Sequence, residues 1–261
     1  MPLEDYAADT FTHDGKERRV YRRGEGPAVI VIAEIPGITP DVLAFADRVA
    51  AIGCTAVLPH LFGEPGRQES VLNSISTITW ACISREFATM ATGRTSPVTV
   101  WLRALARHEH ERCGGPGVGA VGMCLTGGFA LAMMVDDTVV APVLSQPSLP
   151  FPIRKRRRCD LGIDAADLAR VKERTAAGVD VLGVRFTGDI ASPPERFARL
   201  REELGDAFVG VEIDSSAGNA HDIRKQAHSV LTRDLVDEPG HPTRDALDQV
   251  LDLFRKRLLT A

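Results

Sequence analysis

Residues 118–129 read VGAVGMCLTGGF, and the reading of this stretch decides the fold. The first six residues are small or apolar with no alternation, the pattern of a strand covered on both faces of a parallel sheet. From Gly127 to Val135 the spacing is helical, so only Cys124, Leu125 and Thr126 lie between strand and helix. A chain that turns this sharply leaves no room for side chains two residues before the apex or two to three after it. Gly122, Gly127 and Gly128 flank the apex, and Thr126 stands where the first of the trailing small residues would fall. Such a turn raises the Cys124 sulfur above the sheet at a helix N-terminus, whose dipole favours a thiolate. The competing reading is a buried cysteine acting as a small hydrophobe, and spacing alone leaves both open. Residues 117–122 also match GxGxxG, but these glycines run through the strand instead of following it, which excludes a dinucleotide fingerprint.

Outward from this turn the chain alternates between two periods. Residues 9–13 and 18–22, separated by Asp14-Gly15, predict an N-terminal β-hairpin. The run AVIVIA at 28–33 predicts a strand buried on both faces. Helical spacing at 42–51 and a short strand at 55–58 follow. The rhythm continues with a helix at 97–108, strands at 119–123 and 139–144, and helices at 127–135 and 165–176. A strand at 180–186, a helix at 195–203, a strand at 208–213 and a C-terminal helix at 244–258 complete it. Strands alternating with helices imply an α/β fold, a mostly parallel central sheet flanked by helices on both faces. No repeat or long linker interrupts it, so residues 1–261 are expected to form one domain. The stretch 146–160 breaks the rhythm with three prolines and the basic run RKRRR at 154–158, read as a solvated surface loop.

Composition narrows the function classes. The 261 residues are 44% apolar and 25% charged, with a net charge of −4, so no global field favours nucleic acid or an anionic membrane. The first residues carry charges throughout and no apolar segment resembling a secretory signal, and no stretch is long and apolar enough to span a bilayer. Five widely spaced cysteines without a CxxC pair argue against a disulfide framework or a zinc site and for a reducing compartment. The expectation is a cytoplasmic protein with no metal and no cofactor.

A thiol nucleophile needs a base to take its proton and a group to orient that base. Asp189, in Thr187-Gly188-Asp189, falls just past the C-terminal end of a strand, the rim where open α/β sheets bind ligands. Beyond the last strand, residues 214–220 lead to His221, a loop position from which an imidazole can reach the apex. His228 is the competitor, but its surroundings read as helical, so His221 is preferred. Glu34 directly follows AVIVIA. A carboxylate there is costly to bury unless paired, and it lies at the same rim as Cys124.

Together, Glu34, Gly122-Met123-Cys124-Leu125-Thr126-Gly127-Gly128, Gly188-Asp189 and Gly218-Asn219-Ala220-His221 resemble the dienelactone hydrolase family, over residues 29–258. The resemblance implies an α/β-hydrolase fold and a Cys124–His221–Asp189 triad that cleaves a small ester or lactone through a thioester acyl-enzyme. It further implies that Glu34 meets the resting thiol and that the amides of Ile35 and Leu125 form an oxyanion hole. Substrate-carboxylate arginines are implied before the turn, at Arg85 or Arg94, and after the histidine, at Arg224 or Lys225. The implied partner is a small-molecule ester or lactone, with no nucleic acid or membrane, for a monomer or homodimer. Asp222-Ile223 follow His221 where that family carries Gly or Ser and then Phe, and Asp222 would compete with Asp189 for the ring. A ligand-binding or sensor protein that keeps the fold without turnover is the alternative.

Overall fold

Alternate residues of Ala28–Ile32 point to opposite sides of the sheet, and both sides are covered, which is why this strand shows no polar alternation. Val29 and Val31 enter one core with Phe45, Val49, Val250 and Phe254. Ile30 and Ile32 enter the other with Leu102, Phe129, Leu131 and Leu200. The computed structural model describes residues 2–68, 96–148 and 158–260, and within them one eight-stranded sheet carries these two cores.

In chain order the strands are β1 (Ala7–His13), β2 (Lys16–Arg23), β3 (Ala28–Ile32), β4 (Thr55–Pro59), β5 (Val118–Met123), β6 (Val139–Ser145), β7 (Val181–Phe186) and β8 (Phe208–Ile213). The helices are α1 (Pro40–Ala51), α2 (Pro97–Cys113), α3 (Gly127–Met133), α4 (Ala165–Ala176), α5 (Pro194–Leu204) and α6 (Pro242–Phe254). Across the sheet the order is β1-β2-β4-β3-β5-β6-β7-β8. β1 pairs antiparallel with β2, and β2 with β4, whereas every other neighbouring pair is parallel. The expected hairpin and parallel sheet are both present, an α/β-hydrolase arrangement.

Local chemistry sets the helix starts. Thr39, Ser96 and Asp164 accept backbone N–H bonds from Val42, Val98 and Asp167, and proline opens α1, α2, α5 and α6. Helix ends depart from the sequence expectation in several places, α2 among them, which runs on to Cys113. α6 begins at Pro242, capped by His241, and gives way to a π-type turn at Arg255–Leu259 instead of continuing as one regular helix. α3 ends at Met133, two residues early. Among the described residues no helix is long and apolar enough to cross a membrane.

Parallel pairing fixes where chemistry can occur. Ile32 lies opposite Gly122 and Met123 opposite Ser145, so the loops after β3, β5 and β6 leave the sheet at one rim. The loops after β7 and β8 leave there too, with Phe186 opposite Ile213.

Candidate active site

Cys124 sits at the apex of the turn between β5 and α3, with φ +54°. A non-glycine residue held in this left-handed region costs about 1–3 kcal/mol, so the surroundings must impose it. A Cβ on Gly122 would lie 2.1 Å from the Thr126 carbonyl oxygen, and one on Gly127 would lie 2.5 Å from Pro147 Cα. Glycine is therefore required at both. Thr126 is more than a small residue filling a gap. Its buried hydroxyl accepts the Met123 N–H at 2.9 Å and lies 2.9 Å from the Ile32 carbonyl, stitching the turn to the end of β3. The Cys124 carbonyl accepts the Ser148 N–H at 2.8 Å, which ties the apex to the loop after β6.

The histidine at this apex is His228, and His221 is displaced from the expected role. His221 is exposed, and its ring packs edge-on against His241 with centroids 5.2 Å apart. His228 Nδ1 lies 2.6 Å from Asp189 Oδ2, and the imidazole also hydrogen-bonds Cys124, which leaves Nε2 for the sulfur. Asp222 lies beside His221 and has no part in this set. The helical reading of His228 fails because residues 227–229 run as irregular chain held from outside by carboxylates. Burial would lower the His228 pKa, but the Cys124 sulfur when ionised, together with Asp189, pushes it up to about 11. Its imidazolium therefore stabilises the fold fully below the ordinary histidine value near 6.5, and this contribution drains away as pH rises towards about 11.

Asp189 stands where the sequence reading put it, at the end of β7, and is buried. One carboxylate oxygen accepts the Ala191 N–H at 2.9 Å, leaving the other for the imidazole. Its loop is braced from below by Arg185, which is 1% exposed. That guanidinium donates to the carbonyls of Ser192 at 2.7 Å and Thr187 at 3.2 Å, and to Glu212 at 2.5 Å. Arginine alone offers this planar spread of donors, so Arg185 fixes both ends of the loop at once.

Glu34 is buried at the same rim, but its carboxyl is engaged away from the thiol. Ser229 Oγ donates to it at 2.8 Å, Gln146 Nε2 at 3.0 Å, and the Thr232 hydroxyl makes a further short contact. The implied Glu34–Cys124 contact is replaced by a bond to the residue beside His228. Burial raises the Glu34 pKa against the opposing pull of Thr232, His228 and Ser229. Gln146 was not anticipated. It is fully buried with φ +33°, its side chain joins Ser145, Val230 and Glu34, and its carbonyl accepts Ser148 Oγ.

The remaining candidates divide. Leu125 follows the apex, in a first turn where backbone N–H groups have no acceptor of their own, and Ile35 follows Glu34 at the same rim. Arg224 is spent on Asp234, to which it donates at 2.6 and 3.1 Å. Arg85 and Arg94 lie outside the described residues, as does most of the basic run at 154–158, of which Arg158 pairs with Glu195. Chemically, the assembled set is a thiol on a strained apex, an imidazole against it and a buried carboxylate behind that imidazole. Such a set has the parts that nucleophilic acyl transfer requires.

Residues 18–258 match the sequence model of the dienelactone hydrolase family. No curated protein matches the chain closely enough to register. Among solved structures, the chain is similar to a dienelactone hydrolase-like promiscuous phosphotriesterase from metagenomic libraries, at 16% identity and TM-score 0.62, covering 97% of this chain and 98% of that one. It is also similar to a dienelactone hydrolase from Anabaena variabilis, at 15% identity and TM-score 0.61, with 97% and 98% covered. A third is a cold-adapted esterase from an Arctic intertidal metagenomic library, at 13% identity and TM-score 0.58, with 97% and 93% covered. At these identities the structural likeness speaks for the fold.

Proposed function

The chain belongs to the dienelactone hydrolase family, and from that premise we propose that it is a thiol hydrolase of a small ester or lactone acting through Cys124, His228 and Asp189. The observation that carries this reading is the hydrogen-bonded sequence at the apex: Cys124 to the His228 ring, and His228 Nδ1 to buried Asp189 at 2.6 Å. Membership of a hydrolase family, and likeness to solved structures of an esterase and of a phosphotriesterase, support the class.

In acylation the Cys124 sulfur attacks the substrate's acyl carbon, and the carbonyl π electrons move to oxygen. The N–H groups of Leu125 and Ile35 receive that oxyanion; one such donor is worth about 2.7–4 kcal/mol in well-studied hydrolases. The C–O bond then breaks, His228 gives its Nε2 proton to the departing alkoxide, and the acyl group remains as a thioester. In deacylation neutral His228 takes a proton from water, hydroxide character attacks the thioester, and the sulfur leaves as thiolate beside the re-formed imidazolium. Asp189 holds the ring in the tautomer both steps need.

The test is hydrolysis of p-nitrophenyl acetate and of small lactones. The expected result is steady turnover, with a burst of one p-nitrophenolate per active site where deacylation limits. Absence of turnover across the panel would overturn the reading in favour of a ligand-binding protein that keeps the fold.

A further inference from the structure

His228 stands on a stretch without regular secondary structure, so its ring bond to Asp189 cannot by itself fix where the residue begins. Something must hold the backbone. One oxygen of the Asp234 carboxylate accepts two successive N–H groups, from His228 at 2.8 Å and Ser229 at 3.0 Å. The other oxygen accepts both Arg224 donors, and the Asp234 N–H returns to the Ser229 carbonyl at 3.0 Å. The Asp234 side chain is only 9% exposed, which strengthens its bonds to the two N–H groups, whereas the Arg224 pair lies at the surface.

We propose that Asp234 is the positioning residue of the catalytic histidine and that Arg224 serves it, so that Arg224 acts in the histidine's placement and not in binding substrate. This rests on the reading of Cys124 and His228 given above. Glu34 holds the same loop through the side chains of Ser229 and Thr232, so two carboxylates hold the segment carrying His228. Without Asp234 the two N–H groups lose their shared acceptor, and the backbone carrying the ring can shift even though Asp189 still bonds the ring and Glu34 still holds Ser229 and Thr232. A misplacement of about 1 Å at a reacting group can cost on the order of 100-fold in rate.

The experiment compares Asp234→Ala, Asp234→Asn and Arg224→Gln with the wild type and with Cys124→Ala. Expected are a kcat for Asp234→Ala lowered on the order of 100-fold with KM little changed, and slower alkylation of Cys124 by iodoacetamide. Asp234→Asn keeps an oxygen for the two N–H groups and should recover most of the rate. Arg224→Gln should lower kcat modestly, with KM unchanged for neutral and anionic esters alike. If Asp234→Ala does not fold, Asp234→Ser, whose hydroxyl is too short to span both N–H groups, carries the same expectation. Wild-type kcat in Asp234→Ala, or a KM rise for anionic esters alone in Arg224→Gln, would overturn the proposal. Full turnover by Cys124→Ala would instead remove the functional reading and this inference with it, whereas an inactive Cys124→Ala beside a normal Asp234→Ala rejects the inference alone.

Discussion

Replacing Cys124 by alanine should lower ester turnover by on the order of 10⁴-fold or more while leaving the protein folded. The substitution removes one sulfur atom from a half-buried position and leaves every glycine contact of the turn in place. Alanine meets the φ of +54° with the same Cβ that cysteine has, so the backbone strain is unchanged. The change also takes away the sulfur's hydrogen bond to the His228 ring, so stability should fall by about 1–3 kcal/mol, a loss that a domain of ordinary stability survives. Cys124→Ser should also leave little activity, because a hydroxyl is a far weaker acid than a thiol and a poorer nucleophile beside the same imidazole. Initial rates with p-nitrophenyl acetate, read beside thermal unfolding, check both variants. Retained turnover in a folded Cys124→Ala would be incompatible with a cysteine nucleophile.

The second large effect separates two histidines seven positions apart. His228→Ala removes the group that bonds both Cys124 and Asp189 and should lower kcat/KM by on the order of 10³–10⁴-fold. His221→Ala touches an exposed ring whose neighbour is His241, and kcat/KM should stay within about twofold of wild type. The protonation state gives an independent check. Because the ionised Cys124 sulfur leads the influences that raise the His228 pKa, Cys124→Ala should move its titration midpoint downward from about 11. The direction follows from charge: losing a neighbouring anion makes the imidazolium easier to deprotonate. Nitrogen or ring-proton shifts of His228 followed against pH would read it. An unchanged midpoint would mean that the sulfur and the ring do not interact.

The sheet and the turn were legible because their signals are local. Unbroken apolar runs such as AVIVIA reflect burial on both faces, and the glycines around Cys124 reflect clashes within a few residues of the apex. Asp189 was legible for the same reason, standing directly after a strand. His228 was not, because what fixes it comes from far along the chain. Its neighbour Ser229 is held by Glu34, 195 residues away, and its ring by Asp189, 39 residues away. The helical reading of residues 226–229 then misled, since no periodicity records a loop held by distant carboxylates. One sequence signal did point to it: Ser229 directly follows His228, as a serine or glycine follows the histidine in the family that the chain resembles. Gln146 and Arg185 were missed on similar grounds, since a buried polar residue shows its role only through partners that the sequence does not place beside it. Thr126, passed over as a small filler, turned out to join two strands through one hydroxyl.

Catalysis by Cys124 requires a covalent bond between its sulfur and the acyl half of the substrate, and that bond can be observed. The wild-type protein is mixed with p-nitrophenyl acetate, quenched in acid during the burst, digested and read by mass. The expected result is an acetyl group on the peptide containing Cys124, released by hydroxylamine and absent from Cys124→Ala. An unmodified Cys124 in enzyme caught during turnover, or an acetyl group on another residue with Cys124→Ala still active, would contradict it.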